Sequence, residues 1–127
     1  MADILVVDDS KVMREMLIAC LRGQEGLSFT QASSGLDAIE QLSMQPFDLL
    51  LLDMNMPDIG GVEVVEFVRS QDKLKNVPII IVTTRGDEVS KERAMSAGAT
   101  RYMTKPFSPD QIQSAVGEIL KTKKAGN

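Results

Sequence analysis

Several polar side chains in this 127-residue sequence stand just beyond short apolar runs, and together they suit chemistry on a phosphoryl group. Asp8 and Asp9 follow Ile4-Leu5-Val6-Val7, Asp53 follows four leucines, and Thr83 follows Ile79-Ile80-Ile81-Val82. Lys105 stands shortly after Arg101-Tyr102-Met103. If these runs are neighbouring strands of one sheet, three carboxylates, a hydroxyl and an ammonium share a crevice. Three carboxylates that close repel one another and require raised pKa values or a cation. Mg²⁺ is the natural remedy, since it takes a few carboxylates and a carbonyl while keeping waters. Asp53 would then be a carboxylate nucleophile that accepts a phosphoryl group, with the metal and Lys105 neutralising charge on its oxygens. The Thr83 hydroxyl could donate to one of those oxygens after transfer.

Taken singly, each signal has a plain explanation. An acidic pair after a strand often caps a helix, a strand-ending Asp often caps a loop, and Lys and Thr are common at such places. The joint placement tips the balance modestly toward a metal-assisted phosphoryl site. Other chemistry is excluded by composition. The chain has no histidine, which removes Ser-His-Asp and Cys-His systems and every zinc site that needs imidazole. Its single cysteine, Cys20, allows no intrachain disulfide and is expected to be a small core residue on a helical stripe.

The positioning elements follow from the hydrophobic pattern. The apolar runs, unbroken rather than alternating, suit strands buried on both faces of a parallel sheet. Between the first two strands, Met13, Met16, Leu17, Cys20 and Leu21 predict one face of a helix capped by Ser10 or Asp9 and ended near Gly23 and Gly26. A second strand is expected over 27–32. Ser34 with Asp37 resembles a capping box for a helix through Ala38, Ile39 and Leu42, closed by Pro46. After Asp53 a loop over 54–60 leads into a valine-rich helix over 61–69. A polar helix is expected over 88–97, stopped by Gly98. The last helix has the best-marked start: Ser108 as N-cap, Pro109 in the first turn and Gln111 completing a capping box. Ile112, Ala115, Val116, Ile119 and Leu120 then mark its buried face, and residues 122–127 are expected to fray.

Strands alternating with helices predict an α/β, doubly wound parallel sheet covered by helices on both faces, as one domain over 1–127. Ligands of such sheets gather at the carboxyl ends of the strands, where the acids, Thr83 and Lys105 stand. A net charge of −4 argues weakly against stand-alone nucleic-acid binding. No signal peptide or membrane span is evident, so the cytoplasm is the expected compartment.

Four segments together resemble the response-regulator receiver family: Leu5-Val6-Val7-Asp8-Asp9-Ser10, residues 53–61 (DMNMPDIGG), the apolar strand ending at Thr83, and Lys105-Pro106-Phe107. They occur in that family's order and spacing, cover essentially the whole chain, and are most like the single-domain chemotaxis regulators. The resemblance implies a flavodoxin-like five-stranded sheet in order 2-1-3-4-5 with five helices. It implies Asp53 as phosphoacceptor, and Asp9 and Asp53 as direct carboxylate ligands of Mg²⁺. Asp8 matches a ligand acting through water, and Asn55 a backbone-carbonyl ligand. Thr83 and Lys105 match phosphoryl-binding residues, Tyr102 the aromatic that turns inward with Thr83, and Lys105-Pro106 a cis peptide. Met54 and Met56 are read as plain loop packing. Thr84 is bulkier than the residue common there and is expected to crowd the path of Thr83 and Tyr102. Arg85 stands where the chemotaxis prototype has an acid, which leaves the dephosphorylation rate open and bears on recognition by a phosphatase.

The resemblance further implies a phosphorylation-dependent switch rather than a conventional enzyme. A histidine kinase would be the donor, and a separate target protein would read the face formed by the fourth helix, fifth strand and fifth helix, roughly 89–120. Neither direct nucleic-acid binding nor membrane insertion is expected. One alternative is the receiver piece of a larger transcriptional regulator. A small aspartyl-phosphate phosphatase of the haloacid-dehalogenase type is a weaker rival, because Asn55 stands where its second acid would be. An FMN-binding flavodoxin is weaker still, since Asp8 and Asp9 would repel the phosphate in the first loop.

Overall fold

Five short strands, the central three rich in aliphatic residues, form one parallel sheet. The computed structural model describes residues 2–125. Its strands are β1 (Ala2–Val7), β2 (Leu27–Ala32), β3 (Leu49–Leu52), β4 (Ile79–Thr83) and β5 (Arg101–Thr104), in the order β2-β1-β3-β4-β5. The helices are α1 (Lys11–Leu21), α2 (Gly35–Met44), α3 (Gly61–Ser70), α4 (Glu88–Ala97) and α5 (Pro109–Ala125). The fold is therefore the doubly wound, flavodoxin-like sheet that the sequence implies.

The three central strands are buried from Ile4 onward in β1 and along the whole of β3 and β4, and alternation along them divides the core in two. Leu5, Val7, Leu50, Leu52, Ile79 and Ile81 pack toward α2, α3 and α4, with Ala38, Leu42, Val64, Val65 and Val68. Ile4, Val6, Leu49, Leu51, Ile80 and Val82 face α1 and α5, with Leu17, Ile18, Leu21, Ile112 and Val116. Because both faces are covered, Ile4–Val7, Leu49–Leu52 and Ile79–Val82 are apolar at every position, which is why they lack a two-residue polar alternation.

The helix caps behave largely as expected. Ser10 Oγ accepts from Met13 N, and Ser34 Oγ from Asp37 N. Both arms of the α5 capping box form: Ser108 N donates to Gln111 Oε1 at 2.7 Å, and Gln111 N to Ser108 Oγ at 3.2 Å. At α2 the return arm differs, because Asp37 Oδ2 accepts from Ser33 N rather than from the cap residue. The backbone of α5 stays helical to Ala125; Gly126 and Asn127, the end of the tail expected to fray, lie outside the described residues.

The buried face of α1 requires a correction. Leu17, Ile18 and Leu21 are buried, Met13 and Cys20 are only partly so, and Met16 is exposed. The stripe runs through 14, 17, 18 and 21, one residue later than hydrophobicity suggests. Arg14 occupies its first position. The Arg14 guanidinium donates to Gln31 Oε1 at 2.9 Å and to the Asp8 carbonyl at 2.7 Å, so a charged residue holds a place on the inward face.

A second arginine braces the opposite end of the sheet. Arg69, in the last turn of α3, donates from Nε to the Gly98 carbonyl at 2.9 Å. Its Nη1 reaches the carbonyls of Val77 at 2.6 Å and Lys75 at 3.0 Å. Gly98 closes α4 in the left-handed region, at φ 120°, and a Cβ there would stand 2.8 Å from Arg69 Cγ. Arg69→Met should keep the aliphatic stem but orphan these carbonyls. We expect a stability loss of about 2–4 kcal/mol in urea unfolding, the scale of charge-assisted hydrogen bonds to partly buried acceptors.

No helix among the described residues is long and apolar enough to cross a membrane.

Candidate functional site

Strand register brings the acids together. Val7 pairs with Leu52, and Asp53 N donates to the Val7 carbonyl at 3.0 Å, so Asp8 and Asp53 leave adjacent strands at the same level. Leu52 in turn pairs with Ile81, and Thr83 with Thr104. Lys105 N donates to the Thr83 carbonyl at 2.7 Å, which starts the lysine at the same rim. Carboxylate oxygens of Asp8, Asp9 and Asp53 all lie within 4.8 Å of one another. Asp8 and Asp53 are buried, and Asp9 is exposed.

Lys105 is the cation already in place. Its Nζ is 2.8 Å from Asp8 Oδ2 and 3.9 Å from Asp53 Oδ1, with only 12% of its side chain exposed. One ammonium against three carboxylates leaves the cluster anionic. The donors are all hard carboxylate oxygens, the set that suits a small divalent ion, so the residues present fit Mg²⁺. Burial pushes the Asp53 carboxyl above its ordinary value. Lys105 pulls it back, Asp8 raises it further, and hydrogen bonds from the Thr83 hydroxyl and the Asn55 N–H lower it. A raised carboxyl beside an unbalanced pair of acids signals a place prepared for positive charge.

Thr83 is fully buried, and its Oγ1 also accepts from Arg85 N at 3.3 Å. The Tyr102 hydroxyl, on a half-buried ring, donates to the Arg85 carbonyl. Burial raises the Tyr102 pKa, and Asp87 adds to the effect. Arg85 thus touches Thr83 through its N–H and Tyr102 through its carbonyl, while its Nε donates to the Asn55 side-chain Oδ1 at 2.7 Å. That crossbar between the loops after β3 and β4 was not legible from sequence, where Arg85 stood out by charge alone. Thr84 is exposed, so its bulk points to solvent and does not crowd Thr83 and Tyr102 as expected. Met54 is buried and Met56 partly so, both in the α2–α4 core layer, in keeping with loop packing. The Lys105-Pro106 peptide is cis.

Residues 4–117 match the response regulator receiver domain. The chain belongs to the response-regulator receiver family. It is 34% identical over 120 residues to the chemotaxis protein CheY homolog of Campylobacter jejuni, covering 94% of this chain and 92% of that protein. It is 31% identical over 118 residues to the phosphate regulon transcriptional regulatory protein PhoB of Escherichia coli, covering 93% of this chain but 51% of PhoB. Among solved structures, the chemotaxis response regulator CheY4 of Vibrio cholerae superposes with a TM-score of 0.86 at 33% identity, covering 94% and 98% of the two chains. Receiver domains are signalling switches of two-component systems, and they hold a divalent cation in an acidic pocket of this kind.

Proposed function

We propose that this receiver takes a phosphoryl group onto Asp53 from a phosphohistidine of a histidine kinase, in a Mg²⁺-dependent reaction, and so switches a partner protein. The observation that carries the reading is the convergence of Asp8, Asp9 and Asp53 within 4.8 Å, with Lys105 bridging Asp8 and Asp53. The carboxylates of Asp9 and Asp53 and the backbone carbonyl of Asn55 would hold the ion, with Asp8 acting through water. When bound, the ion supplies positive charge that offsets the phosphoryl oxygens. A carboxylate oxygen of Asp53 attacks phosphorus; the P–N bond breaks, its electron pair returns to the imidazole, and an acyl phosphate remains. The Lys105 ammonium leans from Asp8 toward the new oxygens. The Thr83 hydroxyl turns its hydrogen from the Asp53 carboxylate to the phosphoryl group.

The switch follows from that exchange. Phosphorylation adds charge of about −1.5 to −2. Thr83 drawn toward it strains the contact with Arg85 N, and Arg85 carries the hydrogen bond to Tyr102. An existing equilibrium then shifts at the face of α4, β5 and α5, where a downstream target binds. The reading sets the protein in the cytoplasm, plausibly in chemotaxis as for the CheY relatives. The PhoB likeness supports a second setting, in which the same switch serves an attached transcription-regulating half. Incubation with acetyl phosphate and Mg²⁺ tests the core of the proposal. We expect one acid-stable, base-labile phosphate per chain, dependent on the metal; no uptake at saturating donor overturns it.

Hydrolysis by water attack on phosphorus would end the signal, unaided or with a phosphatase. We infer that the Arg85–Asn55 crossbar, which joins the loops after β3 and β4, hinders the approach of that water. For Arg85→Ala we expect the phosphorylated half-life to shorten by about fivefold, the worth of one such hydrogen bond in the barrier. The decay of base-labile phosphate after donor removal measures it.

A further inference from the structure

We infer that Asp58 is a positioning residue for the cation site, acting through the N-terminus of α2; this rests on the phosphoacceptor reading above. The loop of residues 54–60 carries Asn55, and its two ends are already tied: Asp53 N to the Val7 carbonyl, and Gly61 N to the Met54 carbonyl at 3.0 Å. Its tip is tied to another element altogether. Asp58 Oδ1 accepts from Gly35 N at 3.1 Å, and Oδ2 from Leu36 N at 2.8 Å. The N–H groups of Leu36, Ile59 and Gly35, in falling order of effect, hold the Asp58 carboxyl down to about 2, so it stays an acceptor across the working pH range.

These bonds complete the start of α2. Ser34 Oγ takes the Asp37 N–H and the Ser34 carbonyl takes the Ala38 N–H, leaving the first two N–H groups of the helix to Asp58. Ile59 seats beside them. A Cβ on Gly35 would fall 2.3 Å from Ile59 Cγ1 and 2.9 Å from its carbonyl oxygen, so glycine is what lets the loop tip lie against the helix. The tip is thus docked by a carboxylate and a glycine that sequence reading left without a role. With both ends and the tip fixed, Asn55 has little freedom, and its N–H stays on the Asp53 carboxylate. Untied at the tip, the loop would have to be ordered each time the cation binds.

Three variants separate this role from ordinary helix capping. Ser34→Ala removes a cap from the same helix but leaves the loop tie intact. Asp58→Ala cuts the tie. Gly35→Ala favours helix yet pushes Ile59 away. Mg²⁺ affinity of each unphosphorylated protein is measured by calorimetric titration, and hydrogen exchange is followed over 54–60. We expect Asp58→Ala to weaken Mg²⁺ binding about tenfold, as loss of an outer-shell support does. Gly35→Ala should weaken it in the same direction, and Asp58→Asn, which keeps one acceptor, should fall between. Exchange over 54–60 should rise in these variants but not in Ser34→Ala, which lowers the melting temperature while binding Mg²⁺ as the wild type does. Asp58→Ala or Gly35→Ala binding Mg²⁺ at wild-type affinity, or Ser34→Ala weakened equally, overturns the inference and leaves the phosphoacceptor reading standing. A wild-type protein that binds no Mg²⁺ overturns both.

Discussion

Asp53→Asn should take up no base-labile phosphate from acetyl phosphate, a fall in initial rate of about 10³-fold or more, because the amide cannot form the acyl phosphate. The same variant should melt at a higher temperature than the wild type in the absence of divalent cations. Burial and the neighbouring Asp8 raise the Asp53 carboxyl above 3.8, so the native state holds that proton more tightly than the unfolded chain does. Wild-type stability therefore falls as pH rises from 3.8 through the raised value, and the full penalty persists above it. The gap between variant and wild type should open over that window and stay level at higher pH. Added Mg²⁺ should close it, since the cation stabilises the protein that has the full set of acids. Thermal melts across pH, with chelator and with Mg²⁺, measure both effects. A variant phosphorylated like the wild type would end the assignment of Asp53.

Lys105→Met should be the most damaging single change to the metal-free protein. The ammonium lies 2.8 Å from Asp8 and 3.9 Å from Asp53, and all three side chains are largely shielded from water. Methionine fills the stem but leaves these acids facing each other. Breaking a buried pair by removing one partner costs about 3–5 kcal/mol. This loss should depend on cation, which distinguishes it from a packing defect. At a Mg²⁺ concentration about 100-fold above the dissociation constant, binding returns roughly 2.7 kcal/mol. Without its ammonium the variant's site is more anionic and should bind Mg²⁺ more tightly, so at one Mg²⁺ concentration urea unfolding should separate the chelator and Mg²⁺ midpoints more widely for the variant than for the wild type. Equal losses under both conditions would separate Lys105 from the acidic cluster.

Much of the architecture was legible because its signals are local. Runs such as Leu49–Leu52 have no polar alternation, which only a sheet covered on both faces explains. Gly98, Ser108 and Gln111 mark helix ends by chemistry confined to a few neighbouring residues. The site acids were legible for the same reason, each following an apolar run. The long-range braces of the fold and the site were not. Arg14 and Arg69 reach carbonyls six to 29 residues away, and Arg85 reaches Asn55 across 30. Hydrophobicity assigns an arginine to solvent, and nothing nearby reveals its acceptor. Arg14 also displaced the inferred face of α1 by one residue, since a charged side chain on a buried stripe runs against the pattern used to find it.

Apart from the Arg69 bond to the Gly98 carbonyl at its end, α4 buries only the small side chains of Ser90 and Ala94, whereas α3 buries four valines. Small side chains forfeit little apolar contact when a helix tilts or lifts, so opening this element needs far less free energy than melting the domain. Its outward residues, Val89 among them, contribute little to folding. If α4 forms part of the output face proposed above, substitutions there would change which partner is recognised while leaving the protein's foldability nearly untouched, so new signalling specificities would arise on this helix without loss of the scaffold.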